Sequence, residues 1–563
     1  MKTRYFPALL AGIALSACAT PQVETAATRS EPVTLQILAL NDFHGNLEPH
    51  ARPTSYHAGE TVQSERLGGA ARLAATLAGL REDNSITVAA GDLIGASPLI
   101  SSLFLDEPTI KVLSQMGLDL ASVGNHEFDR GTGELRRMQD GGCEQFTRRE
   151  PCSVEQFDGA DFTYLAANVV DDSGETIFPG SEVREIGGAR IGFIGMTLEG
   201  TANLVAAQAT AGYRILDEAE TANRIAQDLM EDGADTVVLL IHEGADVDPL
   251  YSLAGCPSLS GPIVQIIEQL EPAISVVVSG HTHQAYVCGL ETLSGNEVLL
   301  TSAGRYGGFV TDITMVVDPA TDTVVSLRGD NVPIDGSMGS DSAIAAVVET
   351  YSEAVGPVAN RMVGPIHDTG EEGENCGDRP AQLLVADAYL YAAETALEGG
   401  ADIAFVNTGG VRTDLAGADD GMLDYGELYA MAPFGNGVLV LEMTGSQIAA
   451  LLEQQFCDVG QTTICDSLLI PSDGVIYSGD MQRPPQQRIT SLTLDGAPLD
   501  PQQTYRVVTN SFLVGGGDGF SLLTEMPVVA NVGFDIDALE AYVASAEHTV
   551  PVCGRVLNLP PQD

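Results

Sequence analysis

Five apolar or β-branched runs in the first part of the chain, Thr34–Leu40, Ile86–Ala90, Ala121–Val123, Thr236–Ile241 and Ile274–Val278, each break off into a short polar segment. Runs of this length without alternation read as strands buried on both faces of an α/β sheet. The segments that follow them are LNDFHGN, AAGDLIGAS, VGNHEFD, LLIHEGAD and VSGHTHQ. Polar side chains therefore gather at the carboxyl ends of successive strands, where open α/β sheets collect their ligands. Farther on, SAIAAVVETYSEAV (342–355) has helical spacing with Ser or Asp available as N-cap, and Gly356-Pro357 is expected to end it. The remainder mixes helices (Gln382–Glu398, Gly445–Gln455) with strands (Asp402–Asn407, Gly437–Glu442, Arg488–Leu494, Thr504–Val508), and no internal repeat or low-complexity tract stands out.

At 563 residues the chain exceeds a single core, and a Gly/Ser/Asp-rich stretch at Asp335–Asp341 marks the boundary. The expected layout is an α/β domain over 33–334, a linker helix within 335–362 and a second α/β domain over 363–563.

Asp42, His44, Asp92, Asn125, His126, His242, His281 and His283 carry the candidate chemistry, and five of the nine histidines fall in these motifs. Imidazoles mixed with carboxylates and one amide, without cysteine, suit borderline divalent ions such as zinc, manganese, iron or cobalt. Eight residues are too many for one ion, and a carboxylate can bridge two ions ~3.5–4 Å apart. Taken singly, Asp42 or Asp92 reads as a helix N-cap and His242 as a satisfied, half-buried histidine. Polar pairs flanked by glycine, as in GNHEFD and GHTH, have little packing rationale.

These five segments resemble the calcineurin-type metallophosphoesterases, whose pattern is D-x-H, G-D, G-N-H-(D/E), H and G-H-x-H in that order. The resemblance implies an αββα sandwich with two metal ions. Asp42, His44 and His283 would hold one ion, Asn125, His242 and His281 the other, and Asp92 would bridge them. His126 would act on the transition state or the leaving oxygen, oriented by Asp129. A metal-activated water would then attack phosphorus in line.

Hydrophobic content of 44% indicates a globular protein, whereas 78 acidic residues against 26 basic ones give a formal charge of −52. General adaptation of composition accounts for that charge better than a specific role. It keeps the protein soluble and makes nucleic-acid polymers poor partners, so an anionic substrate must be drawn by local cations. No protein partner is implied. At the start, Lys2 and Arg4 precede an apolar stretch that ends in Leu15-Ser16-Ala17-Cys18, a secretory signal (1–18) similar to a bacterial lipobox. Cys18 would carry the lipid anchor, with Ala19–Pro32 as a tether, placing the protein in the periplasm or at the surface on the outer membrane. An ordinary secreted protein is the alternative. The eight other cysteines suit an oxidising compartment, and proximity suggests Cys143–Cys152, Cys457–Cys465 and Cys256–Cys288, leaving Cys376 with Cys553. Many other connectivities are open.

In the second domain, NTGGVRTDL (407–415), PFGN (433–436) and NSFLVGGGDGF (510–520) combine glycines with an arginine and two turn-adjacent aromatics. Glycines let the backbone approach a ligand, an arginine forks onto a phosphate, and two rings can sandwich a nucleobase. Singly, each phenylalanine reads as core and GGGDG as a turn. Together with the first domain these segments resemble the 5′-nucleotidases, including periplasmic UDP-sugar hydrolases, over essentially the whole mature chain. By that resemblance Phe434 and Phe512 stack on the base, Asp518 binds the nucleoside, and Asn407, Arg412 and Asn436 face the substrate. A hinge rotation would bring the nucleoside to the metals. The family's second phosphate arginine has only Arg379 as a neighbour here, out of register in ENCGDRPAQLLVADA. The function so implied is hydrolysis of nucleoside 5′-monophosphates, with UDP-sugars as further substrates. A cyclic 2′,3′-phosphodiesterase/3′-nucleotidase or a thiosulfohydrolase would share the fold, and a non-catalytic surface-binding lipoprotein is the reading from another class.

Overall fold

The computed structural model describes residues 31–206, 208–367, 377–415, 421–457, 463–464, 467–546 and 548–560. The signal-like segment, Cys18 and nearly all of the tether lie outside the described residues, as do Cys376 and Cys465.

Strand Val33–Leu40 shows how the sequence builds the first domain. From Ile37 onward its even and odd positions are both apolar, so Leu35, Ile37 and Ala39 face one way and Leu38 and Leu40 the other. The inner set packs with Ile86 and Val88 against Ile191, Phe193, Val238, Leu240 and Val276 of a second sheet. The outer set packs under Leu73, Leu77, Ile110 and Leu113 of helices Ala70–Leu80 and Glu107–Gln115. On the other side, Met196, Leu239, Ile241 and Val277 meet Ala222, Ala226 and Ile263 of helices Glu218–Glu231 and Pro262–Glu268. The result is an αββα sandwich.

Each sheet has six strands. In the first, Val33–Leu40, Ser85–Ala90, Leu120–Ser122 and Thr163–Leu165 run parallel, and Phe309–Asp318 and Thr323–Pro333 add an antiparallel edge. In the second, Ala189–Thr197, Thr236–His242, Ile274–Ser279 and Glu297–Ala303 are parallel, flanked by antiparallel Ser181–Ile186 and Ala285–Glu291.

Helix Ser342–Ala359, capped by Asp341 through the N–H groups of Ala343 and Ile344, leads to the second domain. It runs through Gly356-Pro357 instead of ending there. A proline disfavours the helical region for its predecessor by crowding that residue's N–H and Cβ, and Gly356 has no Cβ to crowd. The second domain is built on a mixed sheet ordered Leu469–Pro471, Ile403–Asn407, Thr504–Asn510, Gly437–Thr444 and Val528–Phe534. Helices Pro380–Ala396 and Asp535–Ser545 pack together against it. Ile489–Leu494 belongs to a separate four-stranded sheet. Disulfides join Cys143 to Cys152 and Cys256 to Cys288, and Cys553 is also disulfide-bonded. Among the described residues no helix is long and apolar enough to cross a membrane.

Candidate active site

The parallel strands of both sheets end at one edge of the sandwich, and the backbone there is unusual. Asp42, His44, Asp92, His281 and His283 all have φ between 46° and 72°, the left-handed region that non-glycine residues avoid at a cost of roughly 1–2 kcal/mol each. That strain turns five side chains inward at strand ends.

Three overlapping groups result: Asp42, His44 and His283; His44, Asp92 and His126; and Asp92, His242 and His281. The ligand-type atoms within each lie within 4.8 Å of one another. Asp92 belongs to two groups. Its Oδ2 is 2.9 Å from His242 Nε2 and 3.5 Å from His44 Nε2. His283 Nε2 lies 3.1 Å from His44 Nε2 and 3.5 Å from Asp42 Oδ1. The close packing needs Gly124, because a Cβ there would meet Asp92 Oδ1 at 2.2 Å.

The surroundings fix which ring atom faces inward. His44 Nδ1 and His242 Nδ1 lie 2.8 Å from the carbonyls of Gly95 and Ala90, leaving each Nε2 toward the cluster. Asn41 donates to Asp42 Oδ2 at 2.7 Å. Asn125 Oδ1 is buried without a hydrogen-bond partner, which is costly unless another species satisfies it, and His242 Nε2 has the Asp92 carboxylate 2.9 Å away.

Burial pulls the protonation behaviour apart. It lowers His44 and His281 to about 3, lowers His283 as well, and lifts Asp42 to about 7. Neutral rings are the form a metal requires. For Asp92 burial is outweighed by His242, His126 and His44, which hold its carboxyl well below the ordinary range. Burial also opposes charge on His242, but Asp92 outweighs it and raises the ring to about 10. The cluster thus demands positive charge beside Asp92, which a divalent ion supplies as well as a proton. An orphaned amide oxygen, a carboxylate shared by two of the groups and a mixed oxygen–nitrogen donor set fit divalent metal ions.

His126 stands apart in its contacts. Its Nδ1 lies 2.9 Å from Asp129 Oδ2, and its backbone N–H donates to Asp92 Oδ1 at 2.8 Å. Burial disfavours its charged form, yet Asp129 and Asp92 outweigh that and raise it.

The second domain reaches this edge. The Phe434 ring stacks on His126, and the Arg412 guanidinium carbon lies 5.9 Å from the Phe434 centroid. Its charge contributes to holding down His44, His281 and His283. Asn407 donates to Asp518 at 2.8 Å and accepts from Asn510 at 2.9 Å. Phe512 lies over Gly517, where a Cβ would meet its ring at 2.4 Å. Asn436 donates its N–H to Asp535 at 2.8 Å. Arg379 begins helix Pro380–Ala396 and pairs with Asp414 at 3.5 Å. Asp414 also lies 3.6 Å from Arg52 of the first domain.

Sequence reasoning missed several supports. Glu127 accepts from the N–H groups of Asp92, Leu93 and Gly124 at 2.6–2.9 Å, binding two site segments together. Its place in GNHEFD was the available signal. Asn41 and Asn510 lie within segments already singled out, yet each also binds a partner more than a hundred positions away, Gly304 and Asn407 respectively.

The chain matches the calcineurin-like phosphoesterase model over residues 35–285 and the 5′-nucleotidase C-terminal domain model over 355–525. A cell wall protein of Listeria monocytogenes is 32% identical over 575 residues, covering 95% of this chain and 70% of that protein. An endonuclease of Bacillus subtilis is 28% identical over 92% of this chain, which spans only 40% of that protein. The crystal structure of a 5′-nucleotidase precursor from Thermus thermophilus shares the fold, with a TM-score of 0.74, 24% identity, and coverage of 94% of this chain and 100% of that one. The chain belongs to the 5′-nucleotidase family of calcineurin-like phosphoesterases and is, by class, a metal-dependent phosphoric ester hydrolase.

Proposed function

We propose that the protein is an exported hydrolase of nucleoside 5′-monophosphates, with UDP-sugars as further substrates. The observation that carries this reading is the meeting of Phe434 and Arg412 of the second domain with His126 and the Asp92 cluster of the first. Asp42, His44 and His283 would hold one divalent ion, Asn125, His242 and His281 the other, with Asp92 between them. When bound, the ions would activate water and neutralise charge for in-line displacement at phosphorus.

The chain's own groups do the rest. His126, oriented through Nδ1 by Asp129, offers Nε2 to the leaving oxygen and delivers a proton there. Arg412 faces the charge of the scissile phosphate. Phe434 and Phe512 take the base, and Asp518, held by Asn407, takes the nucleoside. Export rests on the signal-like start, the disulfides and the cell wall location of a relative. Within this proposal Cys18 carries the lipid anchor, and the domains span 33–334 and 363–563.

A hydrolysis panel tests the reading: AMP, UMP, UDP-glucose, 3′-AMP, 2′,3′-cyclic AMP and thiosulfate esters, each with manganese, cobalt or zinc. The 5′-monophosphates should lead. Preference for the cyclic diester, 3′-AMP or the sulfur ester would reassign the substrate on the same fold.

A further inference from the structure

The loop closed by Cys143 and Cys152 belongs neither to the metal cluster nor to the nucleoside segments, yet it carries Arg148 and Arg149 into a cleft between the domains. The cleft encloses about 460 Å³ and shares Asp129 and Phe434 with the reacting centre. Since Phe434 stacks on His126, the cleft adjoins the ring to which the proposed mechanism gives the leaving oxygen.

The two arginines are held without acids. The Arg148 guanidinium carbon stands 3.4 Å from the Phe534 ring centroid. Arg149 lies 5.2 Å over Tyr429 and donates to the Ser102 carbonyl at 3.0 Å. Nearby Arg130 is neutralised by Asp106, and Asp129 is engaged with His126. Among the described residues no carboxylate forms an ion pair with Arg148 or Arg149. In a chain with 78 acidic and 26 basic residues, partners for a cation are abundant. The guanidiniums of two consecutive residues, positioned by rings and a carbonyl, keep donors open along one cleft of ligand size.

We infer that this cleft is an anion subsite for a second phosphate carried by the leaving group, with Arg148 and Arg149 as specificity-determining residues. The inference rests on the nucleotidase reading. Two sources share this chemistry: a nucleoside diphosphate or diphosphate-linked nucleotide, whose leaving group is itself a nucleotide, and a nucleoside bisphosphate with a phosphate on its ribose. The reaction is unchanged and balanced. Water oxygen bonds to the scissile phosphorus, the bond to the leaving oxygen breaks, and that oxygen takes a proton.

The test compares kcat/KM for AMP, ADP and adenosine 3′,5′-bisphosphate in the wild type and in the double variant Arg148→Gln, Arg149→Gln. The ratio of a two-phosphate substrate to AMP should fall at least about tenfold in the variant, through KM. A fall with ADP assigns the phosphate chain as the source, and a fall with the bisphosphate assigns the ribose phosphate. An unchanged ratio for both overturns the inference, including the case where all three substrates slow equally because the loop merely fastens the domains. Should the variant fail to fold, the wild type decides. KM for at least one two-phosphate substrate must lie below that for AMP, and the gap must narrow as salt rises. A lower KM for AMP than for both overturns the subsite alone, whereas no turnover of any of the three overturns the nucleotidase reading beneath it.

Discussion

The imidazole of His126 and the ring of Phe434 lie 16° from parallel with their centroids 5.7 Å apart, one from each domain. A ring expected to serve the nucleobase therefore touches the group expected to serve the leaving oxygen. Phe512 has no such contact among the described residues and packs over Gly517.

The two phenylalanines should consequently fail in different ways. Phe512→Ala removes base stacking, worth ~1–3 kcal/mol in single-strand binders, and should raise KM for AMP severalfold. It should spare p-nitrophenyl phosphate, which has no nucleobase. Phe434→Ala should lower kcat on both substrates, because His126 loses its packing. Equal damage to both substrates in Phe512→Ala would make that ring a core residue.

His126 separates chemistry from metal binding. His126→Asn should lose about 10²–10⁴ in kcat, the usual scale of general acid–base catalysis, while retaining its metal. Metal analysis of the purified variant checks this. Loss of an ion would place His126 among the ligands, as its nearness to His44 and Asp92 allows.

Asp92→Asn should cost more metal than His281→Ala or His283→Ala. Asp92 joins two of the three clusters, whereas each histidine serves one. Retention of metal and turnover in all three variants would remove the dinuclear assignment.

A pH effect on stability is expected at Asp535, at the start of helix Asp535–Ser545 in the second domain. Burial raises its carboxyl from 3.8 to about 7, against the hydrogen bonds it accepts from Asn436 and Ile536. The folded state then binds its proton more tightly than the unfolded state does. This group's stabilising contribution is complete below about pH 4 and is lost as pH rises through 7. Comparing urea unfolding at pH 5 and pH 8, Asp535→Asn should show a smaller fall in stability than the wild type. An identical fall in both would show that Asp535 is not the source.

The strand ends were legible in the sequence because a buried parallel strand is a continuous apolar run, so an abrupt Asp-x-His or Gly-His-x-His stands out against it. Their five left-handed residues were not legible, since an aspartate or histidine carries no local mark of positive φ. Gly124 and Glu127 owe their roles to segments about thirty positions away, brought close only by the parallel pairing of neighbouring strands. The Cys143–Cys152 pair was expected from spacing, but the loop's meeting with Tyr429 and Phe534 depends on how the domains face each other. That relationship has no sequence period. The helix continuing past Gly356-Pro357 is the reverse case, in which a local stop signal yielded to a glycine without a Cβ.

Turnover of AMP by the full chain, stripped with a chelator and then titrated with manganese, cobalt or zinc, tests the central claim most directly. Phosphate release should be absent after stripping and should rise to a plateau near about two ions per chain. The Asp92→Asn protein should not recover under the same titration. Release that survives stripping, or a reconstituted protein that ignores AMP while hydrolysing another ester, would contradict the account.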